Sequence, residues 1–245
     1  MKQYKVAIIG NGMICNAAHI PAYKAMGDKV KIVAVADIRE EAAKETAERH
    51  GIPKYYVDPY KMLEEEKPDI ISVCTPNAYH KEYTLAGFRA GCHVVCEKPV
   101  AVTCADAEEM FNAAEKAGKH LFVIQSLRFT GNFKAAAGLA KSGCLGDIYY
   151  ADLNLVRRRG VPRWGMFHMA KENVGGAFCD LGVHMCDYLM SISGNPKMVS
   201  VSGSAVTRIV NKEKNIEFSN AESGAPTGLF TPRKFDMKRS EEHTS

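Results

Sequence analysis

The first half of the chain alternates short, unbroken apolar runs with amphipathic stretches. The apolar runs are Lys5–Ile9, Lys31–Ala36, Ile70–Cys74, His93–Cys96 and Leu121–Ile124. Their Val and Ile residues are continuous rather than alternating, as in strands buried on both faces of a parallel sheet. Between them, Ile14–Met26, Glu40–His50, Pro59–Glu66, Tyr79–Ala90 and Cys104–Ala117 carry apolar residues at helical spacing. Gly51, Gly91 and Gly118 each lie just beyond one of these stretches, where a helix ends in left-handed backbone. This order predicts an α/β fold with a doubly wound parallel sheet.

From about Ser126 the texture changes. Phe133–Lys141 and Val183–Ile192 read as helices, whereas Asp147–Arg159 and Lys197–Ile209 alternate like strands with one buried face. This α+β texture places a domain boundary near Gln125, giving a first domain over 1–125 and a second over 126–238. Asn211–Lys238 is polar, punctuated by Gly and Pro, and without periodicity. The last seven residues, Arg239–Ser245, resemble the in-frame translation of a sequencing-library adapter. Residues 239–245 are therefore expected to be a non-native tail on a C-terminally truncated chain.

A length of 245 residues suffices for two modest domains or one large one, each with a real core. Hydrophobic content of 46% and charged content of 24% fit a soluble globular protein. The net charge of +4 is mild and its basic residues are scattered apart from Arg157–Arg159, so no nucleic-acid partner is implied. No apolar run approaches the ~18 residues of a membrane span, and Val6–Ile9 is too short for a signal peptide. The eight cysteines form no C-x-x-C pair and read as reduced, mostly buried thiols of a cytoplasmic protein.

Candidate chemistry begins at Gly10-Asn11-Gly12-Met13-Ile14-Cys15, which follows the first strand and opens a helix. The first glycine permits the tight turn, and the second lets backbone approach a pyrophosphate at the helix N-terminus. The third position, normally Gly or Ala, is Cys15, small enough for close helix–strand packing. This setting is that of a Rossmann dinucleotide site, with Gly10, Gly12, Met13 and Ile14 lining it. Asp37 ends the second strand, where a carboxylate bonds the adenosine ribose and repels a 2′-phosphate. That favours NAD over NADP. Nearby Arg39 is placed to stack on adenine or pair a phosphate. Asp37 also reads as an N-cap for the helix beginning near Glu40.

Two further segments carry the chemistry of the reacting centre: Glu97-Lys98-Pro99, after the fifth strand's apolar run, and Gly175-Gly176-Ala177-Phe178-Cys179-Asp180-Leu181-Gly182-Val183-His184. Alone, Lys98 reads as a surface lysine before a turn proline. Asp180 and His184, about one helical turn apart, read equally as a metal pair or a helix-surface pair. No third ligand stands out, so no metal is expected.

Together with the glycine-rich opening, these segments resemble the glucose–fructose oxidoreductase / inositol dehydrogenase (Gfo/Idh/MocA) family over roughly residues 4–210. The resemblance implies a Rossmann domain followed by an α+β domain with an open, mostly antiparallel sheet, incomplete in this chain. It implies an NAD(P)-dependent dehydrogenase acting on the CH–OH group of a sugar, polyol or glycoside, with Lys98, Asp180 and His184 holding the alcohol. It makes Thr75-Pro76-Asn77 a second cofactor loop, with Glu97, Lys98 and Gln125 near the cofactor and a Lys98–Pro99 bond that is often cis. His80 either touches cofactor or substrate or merely starts a helix. Arg128, Arg157, Arg163 and Trp164 are the remaining pocket candidates, the arginines reading equally as solvated charges. The resemblance further implies homo-oligomers of the full-length protein. Two rival functions fit the same residues: an NAD-recycling glycosidase or lyase working by transient oxidation, and a non-enzymatic dinucleotide-binding regulator.

Overall fold

The computed structural model describes residues 2–156 and 171–206. The chain divides into two compact units, Met1–Ile124 and Gln125–Ser245.

The first unit is built on one six-stranded sheet: β1 (Tyr4–Ile9), β2 (Val30–Ala36), β3 (Tyr55–Tyr56), β4 (Ile70–Val73), β5 (His93–Cys96) and β6 (Leu121–Val123). Every neighbouring pair is parallel and the order is β3-β2-β1-β4-β5-β6. The sheet winds outward in one direction from β1 and in the other from β4. The crevice where the winding reverses, at the carboxyl ends of β1 and β4, is where open α/β sheets bind ligands.

The continuous apolar runs have a direct structural cause. Along β1, Val6 and Ile8 belong to one core and Ala7 and Ile9 to the other. Val6 and Ile8 pack with Ile20, Tyr23 and Ala47, contributed by α1 (Ile20–Ala25) and α2 (Glu40–His50). Ala7 and Ile9 share a core with Met62, Phe88 and Met110, from α3 (Pro59–Glu66), α4 (His80–Arg89) and α5 (Cys104–Lys116). From Val6 to Ile9 both faces are covered, so these four positions favour apolar residues, whereas Tyr4 and Lys5 at the start of β1 are exposed. Helix ends follow local chemistry. Asp58 caps α3 by accepting from Tyr60 N at 2.8 Å, Thr103 caps α5 through Asp106 N at 3.1 Å, and Gly51 ends α2 with φ 64°.

The helix expected over Ile14–Met26 is different. The backbone is helical from Met13, but Cys15–His19 widen into a π-helical turn, closed by Ile20 N–H to the Cys15 carbonyl, before α1 continues. Pro21 accounts for the change: it lacks an N–H and its ring crowds the carbonyl four residues back, which a widened turn relieves. β3 was not anticipated, because two tyrosines on an edge carry too short a pattern.

In the second unit, α6 (Gly131–Lys141) and α7 (Val183–Ile192) pack together. Phe133 and Tyr188 meet with ring centroids 4.5 Å apart, and the Tyr188 hydroxyl donates to the Leu127 carbonyl at 3.0 Å. The strands expected over Asp147–Arg159 and Lys197–Ile209 are not formed among the described residues, 147–156 and 197–206. Tyr149 and Val199 are almost wholly exposed there. Alternation specifies which face a strand would bury, whereas the strand itself exists only with a ladder partner. No strand of the expected open antiparallel sheet is present among the described residues. Cysteine burial is also mixed: Cys15, Cys74, Cys92 and Cys96 are buried, while Cys104, Cys144 and Cys186 are exposed.

Candidate functional site

The glycine turn after β1 is built against the end of β4. Gly10 has φ 91°, and a Cβ there would lie 2.7 Å from the backbone carbon and oxygen of Cys74. Gly12 faces the other way: no described atom lies within 4 Å of where its Cβ would be. Backbone on one side and open space on the other make a cradle for a large anionic ligand. Buried Asn11 Oδ1 and Thr75 Oγ1, flanking this turn, have no hydrogen-bond partner among the described residues. Polar atoms in that state are costly unless a ligand or water meets them. These features fit a dinucleotide. Cys15 fits the third glycine position by disappearing into the core, where burial pushes its thiol up to about 12 and keeps it protonated.

Asp37 is buried at the end of β2 and held from two sides. Asn11 N–H donates to Oδ2 and Arg39 N–H to Oδ1, each at 2.9 Å. The Arg39 guanidinium adds contacts of 3.1 and 3.3 Å to the same two oxygens. Asp37 is not the cap of α2; that position is Arg39, with no side-chain cap bond. The carboxylate is therefore fixed beside the glycine turn, and Arg39 is occupied by it. We expect Asp37→Ala to weaken NADH binding roughly 10- to 100-fold, the worth of lost bonds to a charged group. Arg39, released, should favour the 2′-phosphate of NADPH. Paired calorimetric titrations with both cofactors check this, and an unchanged preference would remove Asp37 from the ribose site.

The loop Thr75-Pro76-Asn77 follows β4, and Asn77 is buried within it. His80 is the first residue of α4, one of the two roles expected of it, and it also braces the neighbouring loops. Its ring lies fully inside, with Nδ1 2.7 Å from the Pro99 carbonyl and Nε2 3.0 Å from the Thr75 carbonyl. Burial pulls its pKa below the ordinary histidine value, against the opposing pull of those two carbonyls. Both partners are carbonyl oxygens, so a neutral ring donates its one N–H to either of them while sitting between the two loops at the ends of β4 and β5.

Glu97-Lys98-Pro99 leaves the end of β5, and the Lys98–Pro99 peptide is cis. Glu97, expected near the cofactor, points into the protein. Its Oε1 meets His19 Nε2 at 2.9 Å and its Oε2 accepts the Lys98 N–H at 3.2 Å. His19 went unnoticed in the sequence because a lone imidazole on an apolar helix stripe reads as core. Its partner lies 78 positions away, beyond any local pattern.

In the second unit Asp180 lies in a π-helical turn, Phe178–Gly182, that runs directly into α7, so the backbone is already helical at Asp180. Gly175 and Gly176 enter this turn with φ 94° and 54°. His184 is buried, and its Nδ1 lies 3.0 Å from Gln125 Oε1. An amide oxygen only accepts, so in this contact His184 Nδ1–H is the donor. Gln125, placed near the cofactor by the sequence reading, orients this imidazole. Arg128, a substrate candidate, is held in a two-pronged pair with Asp187 at 2.7 and 2.6 Å, which raises its pKa further. That pairing makes it a tie between α7 and the segment before α6 rather than a standing substrate cation. Arg157, Arg163 and Trp164 lie outside the described residues, as does the tail 239–245.

Residues 4–125 match the model of an oxidoreductase family with an NAD-binding Rossmann fold, and residues 133–222 match the GFO/IDH/MocA C-terminal domain. The chain belongs to the Gfo/Idh/MocA oxidoreductase family. Its first unit is that family's NAD-binding domain. Among curated relatives, the D-glucoside 3-dehydrogenase of Escherichia coli (strain K12) is 40% identical over 205 residues, covering 84% of this chain and 58% of that protein. The myo-inositol 2-dehydrogenase of Thermotoga maritima is 30% identical over 190 residues, covering 78% and 55%. Among solved structures, the WlbA dehydrogenase of Bordetella pertussis, in complex with NADH and UDP-GlcNAcA, superposes with a TM-score of 0.71 at 26% identity. That match covers 78% of this chain and 58% of WlbA. The chain thus spans little more than half the length of the relatives it matches. Among the described residues no helix is long and apolar enough to cross a membrane.

Proposed function

We propose that this chain is part of an NAD-dependent oxidoreductase that moves a hydride between the nicotinamide and a secondary alcohol of a sugar, polyol or glycoside. The observation that carries this reading is the placement of Lys98. It leaves β5 at the same carboxyl edge of the sheet where the glycine turn leaves β1 and Asp37 leaves β2. Its loop is pinned by His80 through Pro99 and by Glu97 through the Lys98 N–H. An ammonium group held beside a dinucleotide cradle is suited to proton exchange with a hydroxyl. The names of the relatives, a glucoside and an inositol dehydrogenase, support the alcohol class.

Bound NAD would supply the hydride acceptor, and the rest falls to the chain. Free N–H groups at the glycine turn hold the pyrophosphate, and Asp37 accepts from the ribose hydroxyls. Lys98 exchanges the hydroxyl proton. In the second unit His184, in contact with Gln125, and Asp180 are the residues assigned to the substrate hydroxyls.

The test is a screen of D-glucosides, inositols and aldoses with NAD and NADP, following reduced cofactor by absorbance. We expect NAD reduction with at least one of these classes and weaker use of NADP. A chain that binds NADH and reduces nothing in all three classes would sink the activity while keeping the cofactor site.

A further inference from the structure

We propose that His19 is a positioning residue: acting through the Glu97 carboxylate, it fixes the backbone from which Lys98 projects and ties that backbone to the glycine turn. The catalytic half of this proposal rests on the assignment of Lys98 made above. His19 and Glu97 are both buried, 7% exposed each, and their contact joins two distant segments. One oxygen of Glu97 meets the imidazole and the other holds the Lys98 amide. Behind His19 the chain of bonds continues: Nδ1 lies 3.2 Å from Ser72 Oγ, and Ser72 Oγ lies 2.7 Å from the Tyr23 hydroxyl.

One arrangement satisfies every member of this chain. The Tyr23 hydroxyl donates to Ser72 Oγ, Ser72 donates to His19 Nδ1, and His19 Nε2–H donates to Glu97 Oε1. Ser72 sits on β4, between β1 and β5, so the network crosses the sheet at the crevice where its winding reverses. The π-helical turn explains how His19 gets there. It carries His19 as its last residue, straight after the Gly10–Ile14 turn, and the widened turn aims a side chain that regular helix would direct elsewhere. The cofactor cradle and the lysine loop are thereby joined by one side chain.

Removing the imidazole would leave a buried carboxylate without its partner. Such a group either takes up a proton or moves toward water. In both cases the Lys98 N–H loses a fixed, charged acceptor, and the lysine loses its anchor. The Glu97 N–H, which donates to the Val73 carbonyl at 3.0 Å within the sheet edge, is unaffected and serves as an internal control.

The experiment is amide hydrogen exchange, read residue by residue by NMR, on the wild-type chain and on His19→Ala, His19→Asn and His19→Gln. Gln places a donor where Nε2 stands, while Asn reaches only the Nδ1 position. We expect Lys98 N–H exchange to accelerate about tenfold or more in the Ala and Asn variants, with Glu97 N–H unchanged. In the Gln variant it should stay within about threefold of wild type. In turnover, Ala and Asn should lower kcat by about 10²-fold with little change in NADH affinity, and Gln should restore it. Should His19→Ala fail to fold, the Gln-against-Asn comparison decides alone. Equal Lys98 exchange in all folded variants, or Gln no better than Asn, would overturn the brace. Turnover that survives Lys98→Ala would remove the catalytic half and leave the exchange result to stand or fall by itself.

Discussion

Lys98→Ala should lower kcat for alcohol oxidation by about 10³-fold, the usual worth of a positioned proton-transfer group, or about 4 kcal/mol of barrier. NADH affinity should fall far less than kcat, because the groups assigned to the pyrophosphate and ribose lie on other loops: Gly10 and Gly12 after β1, Asp37 after β2. Urea unfolding of the variant, measured alongside, separates a catalytic loss from a loss of fold, and the loop keeps its ties through Glu97 and His80. Lys98→Arg sharpens the result. Arginine keeps the positive charge and hydrogen-bonding capacity but does not give up its proton near neutrality. If Lys98 acts by exchanging a proton, the Arg variant should be nearly as slow as Ala. If it acted only as a fixed cation, Arg would recover most of the rate. Initial rates for both variants, with calorimetric NADH titrations alongside, decide between these roles, and full activity in both would remove Lys98 from the chemistry.

How much of this was legible in the sequence depends on how local each cause is. The strands of the first unit were legible because residues such as Val6 through Ile9 are packed on both faces and admit nothing but apolar side chains. The ends of α2 and α3 were legible because Gly51 and Asp58 act on their own neighbours. Gly10 and Asp37 stood out because each follows a strand directly, whereas Lys98 stood out only through the family resemblance of its Glu-Lys-Pro segment. The failures share a different cause. The π-helical turn at Cys15–His19 depends on how Pro21 is accommodated in three dimensions. Asp147–Arg159 and Lys197–Ile209 have strand-like alternation, but alternation says nothing of a partner. His80, Glu97 and Arg128 were recognised as notable residues, but the protein groups that hold them were not legible. Their partners, Pro99, His19 and Asp187, come from other segments, and a polar side chain near a site looks the same in sequence whether it meets a ligand or braces a loop.

Gly10→Ala should be the most damaging single methyl group that can be added to the first unit. Two independent costs meet at this position. The backbone has φ 91°, which a side chain disfavours by about 1–3 kcal/mol. The new Cβ would also lie 2.7 Å from the Cys74 carbonyl carbon and oxygen and 2.8 Å from Thr75 N. These are main-chain atoms at the end of a central strand, without a rotamer to yield, so relief requires β1 and β4 to part where their carboxyl ends form the crevice. We expect a loss on the order of 4 kcal/mol or more, enough to exhaust much of an ordinary domain's stability. Gly12→Ala is the matched control. No described atom lies within 4 Å of its added Cβ, so unfolding should shift by less than about 1 kcal/mol. That methyl instead enters the space assigned to the pyrophosphate, so NADH affinity should fall while the fold survives. Urea unfolding and NADH calorimetry on the two variants separate the roles: one glycine serves the packing of the turn against β4, the other the approach of the ligand. A Gly12→Ala chain that binds NADH as tightly as wild type would mean that the dinucleotide does not lie over this turn.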